Sequence, residues 1–200
     1  MKKICVPIII VILFLLAFVT SDSIAGPGSN LRGVYTISGI RTCVQTAELG
    51  FNETSQFQLN DPATTRTYHV KGLLTLNGNG TGTLTARMIQ INHQNVNVGN
   101  YPLTVTESVC TVEYKPLPDG TLEMKFPSCP SRVLIGFGAP YDANVQEPVV
   151  SVSISSDRSL LLFSDTEPDI EFVSTVPFGN FERICGRNLT GILLSPIPGR

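Results

Sequence analysis

Asn77-Gly78-Asn79-Gly80 stands between Leu74-x-Leu76 and Leu84-x-Ala86-x-Met88, and apolar alternation on both sides of a glycine turn constrains this fold most. A period of two puts every second side chain on one face of a strand. Asn-Gly supplies the positive φ that a tight hairpin turn demands. The device recurs. Ser156-Asp157-Arg158-Ser159 joins Val150-x-Val152-x-Ile154 to Leu160-x-Leu162, and Pro118-Asp119-Gly120 joins Val112-x-Tyr114 to Leu122-x-Met124-x-Phe126. Strands are expected at 32–44, 66–76, 81–91, 103–115, 121–127, 132–138, 148–155, 159–164, 170–175 and 182–194. Their Val, Ile, Thr, Leu, Phe and Tyr suit a pleated surface. No segment keeps a helical period, apart from one turn that Ala47-Glu48-Leu49-Gly50-Phe51 could make.

Successive hairpins without crossover helices imply an all-β, mainly antiparallel sheet. Such a sheet must bury one face and manage its edges. The expected solution is a single-domain up-and-down barrel, with a β-sandwich as the alternative.

Met1-Lys2-Lys3, the apolar run Ile4–Val19 and Ser23-x-Ala25 form the charged, apolar and small-residue regions of a secretory signal peptide. The reading is a signal over 1–25 and an all-β domain over 26–200, exported to the periplasm or medium in the bacterial manner. A spanning helix needs about 20 apolar residues against the 16 of Ile4–Val19, so cleavage after Ala25 is expected, with retention as an uncleaved anchor the alternative, and no membrane contact is expected after cleavage. Net charge is −2, from 14 basic and 16 acidic residues. That balance gives no reason to expect nucleic acid as a partner. Aromatic residues at 8% are too few for the two girdles of an outer-membrane barrel.

Four cysteines follow the signal: Cys43, Cys110, Cys129 and Cys185. An even number in an exported chain reads as two disulfides, in any of three connectivities. The hairpin at Asp119-Gly120 favours joining Cys110 to Cys129. A two-residue loop there puts the two directly opposite each other. A three-residue loop, with Gly120 left-handed, puts Val112 beside Phe126 and Tyr114 beside Met124. It then needs a bulge near Pro127 to bring Cys129 across. Cys43 and Cys185 remain, one in the first strand and one in the last, so joining them would set the chain ends side by side.

Other residues are read against chemistry. Gly78-Asn79-Gly80-Thr81-Gly82 has the glycines of a phosphate loop but neither the lysine nor the following helix, which leaves a hairpin. Asp165, Glu167, Asp169 and Glu171 alternate and could gather oxygen ligands for calcium. Pro168 favours an ordinary solvated connection instead. His69 and His93 have no partner at ligand spacing. Neither Gly-x-Ser-x-Gly nor His-Glu-x-x-His occurs. No catalytic, metal or cofactor residue is assigned, and the reading leans against an enzyme. Val133-Leu134-Ile135-Gly136-Phe137-Gly138, the most apolar of the expected strands, reads as core or as a partner surface.

Leu31-Arg32-Gly33-Val34-Tyr35 ahead of a meander of hairpins resembles the opening of lipocalin-like (calycin-type) barrels, with Tyr35 where that family carries Trp. The resemblance implies a closed barrel with an apolar cavity. Two function classes follow as expectations: a non-catalytic binder of a small apolar ligand, and an envelope or extracellular module that meets another protein through its surface.

Overall fold

The expected alternation closes into a ring. The computed structural model describes residues 31–46, 51, 63–93, 103–136, 138–165, 170–176 and 179–196. Nine strands form one antiparallel sheet: β1 (Arg32–Gln45), β2 (Thr64–Asn77), β3 (Thr81–Asn92), β4 (Leu103–Pro116), β5 (Thr121–Ile135), β6 (Tyr141–Ile154), β7 (Leu160–Ser164), β8 (Ile170–Val176) and β9 (Gly179–Ser195). Each of β1 to β5 pairs with the next, and β9 returns to β1, with Gly39 facing Leu189 and Cys43 facing Cys185. A Cβ on Gly39 would lie 2.2 Å from the Asn188 carbonyl oxygen, so only glycine admits this close approach. The fold is a barrel, not a sandwich.

β7 and β8 share one position in the wall. Both lie between β6 and β9, β7 against Ser151–Ile154 and Asn188–Ile192, β8 against Asp142–Gln146 and Gly179–Ile184. The ring therefore has eight positions, a size whose interior side chains nearly fill.

The hairpins settle the register at the cysteines. Tyr114 pairs with Met124 and Glu113 with Lys125, then a bulge shifts the ladder so that Thr111 pairs with Ser128 and Ser108 with Ser131. Gly120 adopts φ 85°. This is the three-residue loop with its compensating bulge, and Cys110 bonds Cys129. The second disulfide joins Cys43 to Cys185 across 142 residues of sequence. A loop of that length gives a chain-entropy stabilisation of about 5 kcal/mol, before any native strain is subtracted.

Two expectations need correction. The separate strands at 121–127 and 132–138 are one strand, β5, which ends at Ile135. β6 begins at Tyr141, well before 148. The prolines suggested breaks, yet Pro127 and Pro148 lie beside bulges in the β5–β6 pairing, where a missing N–H is tolerated. Of the possible helical turn at 47–51 only Phe51 is described, and it makes an isolated bridge, its N–H donating to Glu182 Oε2 at 2.9 Å. The signal segment lies outside the described residues.

The hairpins β2–β3, β4–β5 and β6–β7 lie at one end of the barrel. Leu31, Tyr35, Leu76, Val112, Leu122, Met124 and Val152 fill that end and are buried. Tyr114 ties it together: its hydroxyl donates to the Leu31 carbonyl at 2.6 Å and accepts from the Gly78 N–H at 2.9 Å. The opposite end holds polar side chains.

Candidate binding site in the barrel interior

Inward parity brings charge inside. On β1 the buried side chains are those of Tyr35, Ile37, Arg41, Cys43 and Gln45, and on β9 those of Arg183, Cys185 and Arg187. Because the disulfide points inward, the strand residues two positions from either cysteine, Arg41, Gln45, Arg183 and Arg187, do the same. Glu171 shares inward parity with Val173 on β8 and is fully buried.

Glu171 is the centre of this cluster. Its Oε2 accepts from Arg41 Nη2 and, at 2.7 Å, from Arg183 Nε, while Oε1 accepts from Arg187 Nη2. Oε2 also lies 3.6 Å from Cys185 Sγ. Arg187 turns its other terminal nitrogen to Asp165 Oδ1 at 2.5 Å. Three buried guanidinium groups thus meet the carboxylates of Glu171 and Asp165. Isolated charges would not tolerate such burial. Mutual pairing is what makes it bearable.

Tyr68 on β2 faces the same cluster. Arg183 Nη1 donates to its hydroxyl at 3.3 Å, and the Arg183 and Arg41 guanidinium carbons lie 5.3 and 5.8 Å from its ring centroid. Burial pushes the phenol pKa up, but the Arg183, Arg66 and Arg41 charges and the Arg183 hydrogen bond outweigh it. The net shift is below the ordinary tyrosine value. At Tyr141, burial wins over Arg66 and the pKa rises.

Two chambers occupy the interior. The inner one is about 50 Å³ and largely apolar, bounded by Val70, Leu74, Ala86, Phe126, Phe163 and Leu189. The outer one, about 90 Å³, lies towards the polar end, among Arg66, Tyr68, Gln90, Thr104, Tyr141 and Arg183. Met88, Ser131 and Val145 line both. The Ser131 hydroxyl at this boundary lies 2.6 Å from that of Ser108 and donates to the Cys129 carbonyl at 3.0 Å.

The residues singled out in the sequence scatter. Asp165 and Glu171 are not parts of a solvated connection, as was expected. One pairs with Arg187 and the other is walled in by three arginines, because β8 resumes in the wall between β6 and β9 with Glu171 on its inward face. Glu167 and Asp169 lie outside the described residues, and no metal-holding group of His, Cys, Asp or Glu is found among the described ones. His69 is exposed on the outer wall, and the His93 Nε2 lies 2.6 Å from Thr67 Oγ1. Gly78-Asn79-Gly80 forms the expected hairpin. Of the apolar stretch from Val133, Val133 is buried and Ile135 is half exposed, and Phe137 is outside the described residues. The sequence reading missed Arg41, Tyr68, Arg183 and Arg187 altogether. No family model, curated protein or solved structure matches this chain.

Proposed function

We propose that this chain is an exported, non-catalytic binding protein that takes a small apolar ligand inside a lipocalin-like barrel. The observation that carries the reading is an apolar inner chamber beside a polar outer one, with Met88, Ser131 and Val145 lining both. An apolar pocket with a few placed polar groups is the usual form of a small-molecule site. Drug-sized sites measure about 300–1,000 Å³, so chambers of 50 and 90 Å³ call for a short molecule and not a lipid chain. Two disulfides suit an oxidising compartment, the periplasm or medium. Exposed Lys71, Arg87, Glu107, Lys125 and Arg132 around the outer wall suit water better than lipid.

Native mass spectrometry of protein taken from its own compartment tests this reading. A mass increment of one small molecule, lost on unfolding, is expected. Bare protein that also takes up no short apolar compound would overturn it.

A second reading has its own support. Ile89, Ile91, Leu103 and Ile135 are exposed on neighbouring strands, Ile91 facing Leu103 and both Ile89 and Ile135 facing Val105. An apolar surface of this kind suits an envelope or extracellular protein partner. Ile91→Asp and Ile135→Asp would then abolish capture of that partner and leave the interior unaffected.

A further inference from the structure

We infer that the outer chamber is a carboxylate site, and that the ligand is a short-chain monocarboxylate whose acid group meets Arg183 and Arg66. The inference rests on the reading that the interior binds a ligand, and it specifies that ligand's polar end. Arg183 is about 4% exposed, and its guanidinium is two-thirds committed: Nε donates to Glu171 and Nη1 to Tyr68. Its Nη2 is buried without a hydrogen-bond partner among the described residues, as is Nε of Arg66. Both arginines line the outer chamber. Buried donors without partners are costly, and two of them on one small chamber mark a place for an acceptor.

Charge selects the acceptor. The lining of the outer chamber carries the guanidinium groups of Arg66 and Arg183 and no carboxylate, so it favours a single added negative charge close to Arg183. The Glu171 carboxylate opposes an incoming anion, but Arg41 and Arg187 already hold it from either side. A planar carboxylate also suits the guanidinium fork. The neighbouring inner chamber, lined by Val70, Leu74 and Phe163, then accommodates a short alkyl tail. A free phosphate has no part that would use it.

Sodium propionate is the probe, with 1-propanol as the neutral comparison and inorganic phosphate as the competing anion. Each is titrated calorimetrically into the disulfide-bonded protein at constant ionic strength. Propionate should bind saturably and more tightly than 1-propanol. Arg66→Met should weaken propionate about tenfold or more, the usual loss of a charge-assisted hydrogen bond, and leave 1-propanol unchanged. Arg66 is the informative position because it stands outside the Glu171 ion pairs. Arg183→Lys, which keeps the charge and loses the fork, should weaken propionate as well. If 1-propanol binds but propionate binds no tighter, or is indifferent to Arg66→Met, the carboxylate inference falls and the interior-binding reading stands. Phosphate binding as tightly as propionate would also overturn the inference. If neither propionate nor 1-propanol binds, both fall.

Discussion

Asp165 accepts two hydrogen bonds from Arg187, one from its main-chain N–H at 2.7 Å and one from its guanidinium Nη1 at 2.5 Å. The position of Asp165 explains why. β7 ends at Ser164 and β8 begins at Ile170, so β9 has no ladder partner on that side between Ile184 and Asn188. The carboxylate takes the main-chain donor that the interrupted strand would have taken, and at the same time holds Arg187 against Glu171. Asp165→Ala should therefore cost about 3 kcal/mol, the scale of breaking a mostly buried pair. Urea denaturation would show a lower midpoint with unchanged slope. Asp165→Asn, which keeps an acceptor for the N–H, should recover part of the loss.

Glu171→Gln should be the more damaging change. It leaves three buried guanidinium groups facing a neutral amide, and a cost of about 3–5 kcal/mol is expected. The exposed Arg87–Glu107 pair, 3.5 Å apart on the outer wall, gives the contrast. Glu107→Gln should change stability by no more than about 1 kcal/mol. Equal losses in the two variants, by the same denaturant measurement, would contradict the burial argument.

The ring was legible where local chemistry decides it, and the charged interior was not. Asn77-Gly78 and Asp119-Gly120 announce their hairpins directly, and the Cys110–Cys129 pairing follows from counting back along one of them. Prolines misled because a bulge accommodates them, and only the pairing partner reveals the bulge. The interior arginines were hidden for a different reason. Arginine usually reads as surface, and only strand parity reveals otherwise. With Cys43 and Cys185 taken as an inward pair, Arg41, Arg183 and Arg187 could have been placed inside from sequence alone. Glu171 could not. Its side depends on β8 resuming within the wall after the chain leaves β7.

Tyr68 gives a spectroscopic check on that interior. Alkaline titration followed at 295 nm should show one tyrosine ionising below the usual phenol range, and Tyr68→Phe should remove that step. Tyr35 and Tyr141 shift the other way, chiefly through burial. The sign for stability follows from linkage. An acid whose folded pKa is lowered contributes its full stability above its unfolded pKa, near 10 here, and loses it as pH falls through the folded value.

Asp157 governs acid sensitivity at the β6–β7 turn. It accepts from the Ser155 hydroxyl at 2.5 Å, the Ser159 N–H at 3.1 Å and the Ser159 hydroxyl at 2.8 Å, and these bonds lower its pKa to about 2. Its contribution is complete above the unfolded carboxylate value near 4 and disappears as pH falls through about 2. Wild type and Asp157→Ala should differ in thermal midpoint at pH 6 and converge as pH approaches 2. A difference that persists unchanged at pH 2 would assign the turn's stability to something other than this carboxylate.

The central claim is that small molecules enter the barrel rather than rest on it, and methyl NMR during a titration with 1-propanol tests this most directly. Val70, Ala86, Met88, Val145 and Leu189 line the chambers, whereas Ile40, Ile89, Ile91 and Ile135 face outward. The account predicts that the first group shifts together along one saturable curve and that the second stays still. Saturable shifts confined to the outward isoleucines, or none at all, would contradict it.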